Sequence, residues 1–75
     1  MGNKKVQALP GIGKKNGTQL RRRGIKTAKM MYGEFLIKGG NGKKFKRWLD
    51  SKCNANDGQQ KACINALKTW HDNHQ

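Results

Sequence analysis

Apolar residues recur along this chain at helical spacing, and no stretch alternates convincingly with period two. Ala28, Met31, Tyr32, Phe35 and Leu36 fall at i, i+3, i+4, i+7 and i+8, the stripe of a helix with one core face, and Thr27 stands where its N-cap belongs. Gly39-Gly40 breaks that helix. Asn41 can cap the next, in which Phe45, Trp48, Leu49 and Cys53 repeat the spacing. Asn54-Ala55-Asn56-Asp57 reads as a turn, with Asp57 and Gln60 placed like a capping box for a last helix carrying Cys63, Ala66, Leu67 and Trp70 inward. Upstream, cations interleave with Val6, Ala8 and Leu9 in a short helix over 3–9 that Pro10 stops. Lys14 to Arg23 reads as a helix whose Gly17 and Leu20 face the first one and whose terminal glycine is Gly24. The pattern predicts an all-α fold, a small compact bundle of about five short helices forming a single domain over 1–75.

Seventy-five residues bury only roughly 60% of the surface that the unfolded chain exposes, so the core must be small. Seventeen Lys and Arg against four acids give +13, a self-repulsion that calls for a polyanionic partner. Nucleic acid fits best, because the apolar stripes are committed to a core rather than to a membrane surface. No apolar run is long enough to span a membrane, and Met1-Gly2-Asn3-Lys4-Lys5 lacks the apolar centre of a signal peptide, so an intracellular protein is expected. Val6 occupies the Ser/Thr position of a myristoylation motif, which discards that reading of Met1-Gly2.

Cys53, Cys63, His71 and His74 have a C-x9-C-x7-H-x2-H spacing foreign to compact zinc fingers; buried thiols and surface histidines are expected, with no metal and no cofactor. Glu34, Asp50, Asp57 and Asp72 lie on different segments without pairing, so no catalytic residues are expected. Met30, Gly33 and Ile37 form a second apolar stripe, open to two readings: a self-association surface or tight internal packing.

Leu9-Pro10-Gly11-Ile12-Gly13 is followed by Gly17, Leu20 and Gly24-Ile25, and together these resemble a helix-hairpin-helix motif over about 4–25. The glycines permit backbone angles closed to other residues, Ile12 plugs the loop into the core, and Gly17 lets two helices approach. Amides of Gly11, Gly13 and the first turn beyond them then point outward at a helix N-terminus, a site for a phosphate oxygen, with Lys4, Lys5, Lys14 and Lys15 adding the electrostatic attraction. Such binding reads the nucleic-acid backbone and is largely indifferent to sequence.

Tyr32-Gly33-Glu34-Phe35-Leu36-Ile37, Phe45-Lys46-Arg47-Trp48-Leu49 and Cys53-Asn54-Ala55-Asn56 resemble the barrier-to-autointegration factor family, without gaps from about Lys5 onward. The resemblance implies a SAM-like helical domain that forms a homodimer, binds double-stranded DNA without sequence preference, and bridges or compacts it. It implies DNA contacts at Gly11, Gly13, Lys15 and Asn16, within a wider loop site that includes Ile12, Lys14 and Gly17. It also implies a dimer seam around Gly33 and Trp48, which favours self-association for the Met30, Gly33, Ile37 stripe.

Three departures from the family shape the expectations. Its additional N-terminal helix, with DNA contacts and a phosphorylated Ser/Thr, has no counterpart ahead of Met1, so that regulation is not expected. Gly58 replaces a DNA-contacting lysine, leaving Lys61 or the loop lysines to substitute. Lys38 and Lys44 stand where the family has apolar positions that receive LEM-domain proteins, which argues against that partner. Nuclear, chromatin-associated residence is expected in a eukaryote and a DNA-associated one otherwise. The alternatives are a helix-hairpin-helix module for RNA and a protein-interaction adaptor.

Overall fold

The computed structural model describes residues 4–73, and their order is a single 3₁₀ turn, Val6–Ala8, followed by four α-helices: α1 Gly13–Arg22, α2 Ala28–Ile37, α3 Gly42–Asp50 and α4 Asp57–Asn73. The expectations on Met1 to Asn3 and on His74 lie outside the described residues. The fold is all-α, as the helical spacing requires. In place of a helix over 3–9 there is one turn, because Leu9 is already extended ahead of Pro10.

The 3₁₀ turn packs against both α1 and α2, while α3 packs on α2 and α4. An isolated antiparallel bridge joins Lys5 to Thr27, and the Val6 N–H donates to the Lys26 carbonyl at 3.0 Å. That bond ties the chain's start to the entry of α2. Gly17 makes the approach of α1 possible: a Cβ there would lie 2.6 Å from the Cβ of Gln7.

Phe35 and Phe45 meet edge to face, with ring centroids 5.6 Å apart, at the centre of a core that also holds Ile12, Leu20, Met31, Leu49 and Leu67. Burying each large side chain here contributes about 2 kcal/mol through lost water contact. Tyr32 and Trp48 flank this core, and Trp70 closes its edge on Tyr32 at 4.4 Å. Ile64 is buried as well, a position outside the anticipated α4 stripe.

Two local expectations are corrected. Leu36 is 46% exposed and does not join the core with Ala28, Met31 and Phe35. The capping box begins one residue earlier than Asp57: the Gln59 N–H donates to Asn56 Oδ1 and the Asn56 N–H to Gln59 Oε1, both at 2.8 Å. Gln60 is occupied elsewhere. Its buried Nε2 donates to the Ala55 carbonyl at 3.0 Å and to the Asp50 carboxylate, tying α4 to the end of α3.

Candidate nucleic-acid interface

The α1 N-terminus differs from the three that follow it. Thr27 Oγ1 accepts from Met30 N–H, Asn41 Oδ1 from Lys44 N–H, and Asn56 Oδ1 from Gln59 N–H, whereas Ile12 at the start of α1 offers no side-chain cap. The first N–H groups of a helix have no partner inside it, and with the positive end of the helix dipole behind them they suit an anion. Ile12 is buried instead, anchoring the loop to the core as its apolar side chain dictates.

The two loop glycines serve different ends. Gly11 has φ +82°, and a Cβ there would fall 2.0 Å from the Gln59 carbonyl oxygen, so the loop backbone is pressed directly onto α4. Gly13 has φ +65° with open space where a Cβ would stand, which makes it the exposed tip of the turn.

A groove of about 380 Å³ opens at this point, lined by Ile12, by Gly13, Lys14, Lys15 and Asn16 from α1, and by Asn54 and Gln59 from across the fold. Lys14 and Lys15 are exposed at its rim. Asn16 is largely buried, its Nδ2 donating to Gln59 Oε1 at 3.4 Å, and Gly17 lies beneath, covered by Gln7. Among the anticipated loop residues, the structure thus gathers Gly13, Lys14, Lys15 and Asn16 at one surface, with the buried Ile12 forming part of the groove's floor and Gly17 behind it.

Lys4 and Lys5 are exposed but line other depressions, Lys4 beside Leu9, Pro10 and Trp70, and Lys5 beside Arg21 and Lys26. Asn54 and Gln59 were not anticipated at the site. Asn54 is held by its N–H donating to Gln19 Oε1 at 2.9 Å, a link across 35 residues for which no local sequence signal exists.

The other anticipated surface lies on α2. Met30 is 45% and Ile37 72% exposed, and a Cβ at Gly33 would meet no atom within 4 Å. Internal packing therefore does not account for this stripe. Trp48 on α3 is half-buried, with the Lys38 ammonium 5.8 Å from its ring centroid, close enough for cation–π attraction.

Charge is divided unevenly between these elements. Asp57 accepts from Lys46 and Lys61, and those two ammonium groups hold its carboxyl below the usual range, while Asp57 in turn raises Lys46. Glu34 pairs with Lys38 at 3.6 Å and Asp72 with His71 at 3.8 Å. Cys53 and Cys63 are free, buried thiols, and burial pushes Cys63 up to about 12. Among the described residues, no cluster of three His, Cys, Asp or Glu could hold a metal ion.

Comparison with known proteins assigns this arrangement to a family. The family model described as barrier to autointegration factor matches residues 1–74. The chain belongs to the barrier-to-autointegration factor family. It is 40% identical over 72 residues to barrier-to-autointegration factor B of Xenopus laevis, covering 96% of this chain and 80% of that protein. The Homo sapiens member is 38% identical over 72 residues, covering 96% and 81%, and the Drosophila melanogaster member 36% over 70 residues, covering 93% and 78%. Within this family frame the uncapped α1 loop and the exposed α2 stripe are two separate surfaces of the chain.

Proposed function

We propose that this chain binds double-stranded DNA through backbone phosphates, without sequence preference, and that a homodimer of it bridges or compacts DNA. The observation that carries the proposal is the exposed, uncapped N-terminus of α1, flanked by Lys14 and Lys15, in a member of the barrier-to-autointegration factor family. The amides there suit a phosphate oxygen, and the short loop leaves few side chains long enough to read base edges. Lys4 and Lys5 add to the field from a neighbouring surface. No catalytic step is needed for such an activity, and chromatin association follows from it in a eukaryote.

Dimerisation through Met30, Gly33, Ile37 and Trp48 is supported by the exposure of the stripe, since a small domain gains from covering such side chains. Lys38 and Lys44 remain where LEM-domain partners would need apolar contact, so DNA and a second copy are the proposed partners.

Salt-dependent titration of unrelated duplex sequences tests the reading. Neutralising roughly four to six phosphates per dimer gives a slope of about −4 to −5 in log affinity against log salt, equal for every sequence. A flat salt response, or structured RNA displacing the duplex at far lower concentration, overturns it.

A further inference from the structure

The loop groove accounts for only part of the cationic surface. The first 33 residues carry nine of the 17 Lys and Arg and none of the four acids. Four of those nine, Lys5, Arg21, Arg22 and Lys26, line a single depression of about 600 Å³ together with Thr18 and Thr27. The folding pattern itself brings them together. The Lys5 to Thr27 bridge and the Val6 to Lys26 bond place the chain's start and the α2 entry beside the last turn of α1.

Among the described residues no carboxylate lines this depression, and the four acids are engaged elsewhere: Glu34 with Lys38, Asp57 with Lys46 and Lys61, Asp72 with His71, and Asp50 accepting from Gln60. Among the described residues Arg21 has a neutral neighbour, its guanidinium donating to Gln7 Oε1 at 3.4 Å. Cations in the last turn of α1 favour the helix dipole, which explains Arg21 and Arg22 singly. It does not explain why Lys5 and Lys26 converge on them, at a cost in mutual repulsion that a bound polyanion would relieve.

The depression is aligned with the loop site. Lys14, Thr18, Arg21 and Arg22 stand at i, i+4, i+7 and i+8, one face of α1, and Thr18 Oγ1 donates to the Lys14 carbonyl at 2.9 Å. From Gly13 to Arg22 the helix rises about 14 Å, against about 3.4 Å of duplex axis per phosphate on one strand, or about four phosphate steps.

We propose that Lys5, Arg21, Arg22 and Lys26, with the Thr27 hydroxyl, form a second phosphodiester-binding groove that continues the loop site along α1. Each protomer then holds a run of duplex backbone rather than one phosphate. This rests on the DNA-binding reading above and extends it to surfaces outside the glycine loop.

The test compares two triple variants that each remove three positive charges, R21A/R22A/K26A in the groove and K43A/K44A/R47A on α3, against the unaltered protein, by salt-dependent titration of duplexes of graded length. The groove steepens the slope beyond what the loop alone gives, and the groove variant is expected to make it shallower by about 2 to 3 per protomer bound. It is also expected to shorten by about four base pairs the minimum duplex bound at full strength. The α3 variant should change the slope by less than 1 and leave the minimum length unchanged. If the groove triple fails to fold, Arg22→Ala and Lys26→Ala singly carry the test, each expected to change the slope by about 1. Equal losses from groove and α3 variants, or an unchanged minimum length in the groove variant, overturn the second groove while leaving the loop reading intact. Failure of the unaltered protein to bind any duplex overturns the reading on which the groove rests.

Discussion

At the scale of single residues, Gly11 and Gly13 look equivalent in sequence but meet opposite surroundings. Both have left-handed φ, so alanine strains the backbone by roughly 1 kcal/mol at either position. Only at Gly11 does the added Cβ collide with a carbonyl oxygen, 2.0 Å away on α4. Gly11→Ala should therefore lower unfolding free energy by more than about 3 kcal/mol, against about 1 for Gly13→Ala, in urea titration. Equal losses would show that the loop does not press on α4. The Cys63 thiol offers a second residue-scale test, because burial raises it from 9.0 to about 12. The native state keeps this proton after the unfolded chain has lost it, so the stabilisation is complete below about pH 9 and is lost as pH rises toward 12. Between these limits the group lowers stability by up to about 1.4 kcal/mol per pH unit. Urea midpoints of Cys63→Ala should fall less steeply than those of the unaltered protein from pH 9 to 10.5, and parallel curves would count against a buried thiol.

At the scale of elements, the start of α4 links stability to the candidate site. Asn56 and Gln59 exchange two hydrogen bonds, and the same Gln59 oxygen accepts from Asn16 in the loop groove. Asn56→Ala should cost about 1 kcal/mol of stability and also weaken duplex binding several-fold, by releasing Gln59 from the groove wall. Asp57→Ala, one residue on, should leave the cap intact; its loss of a surface ion pair changes stability little. An Asp57 variant as damaged as the Asn56 variant in thermal unfolding would restore Asp57 to the capping role. The sequence motif could not choose between these registers, because Asn56 with Gln59 and Asp57 with Gln60 both satisfy the spacing. The choice is made by tertiary demand: the Ala55 carbonyl and Asp50 need the Gln60 amide. Thr27 and Asn41 were legible as caps because each is the lone capping residue at its helix start. The glycine loop was legible for a related reason, since positive φ leaves few residue choices. Asn54 and Gln59 were not, because they reach the groove through contacts with α1 from the far end of the chain.

At the scale of the whole molecule, the question is why a chain with so small a core leaves Met30 and Ile37 in water. Leu36, read from spacing as core, adds to that exposed apolar surface at 46%, since its neighbours on α2 already fill the inward face. The position that discriminates among explanations is Gly33, where a side chain fits without touching its own protomer. Gly33→Glu should thus fold with unchanged helicity while placing a carboxylate in the proposed seam, a buried charge costly enough to separate two copies. The uncapped α1 terminus and its lysines are untouched by this substitution. The variant should sediment as a monomer near 8.5 kDa, bind one duplex with a shallower salt slope, and fail to join two duplexes carrying different labels. Loss of one-duplex binding together with bridging would place Gly33 in the DNA site instead. A variant that still sediments as a dimer would remove α2 from the seam, and the two loop sites would then be joined through another face.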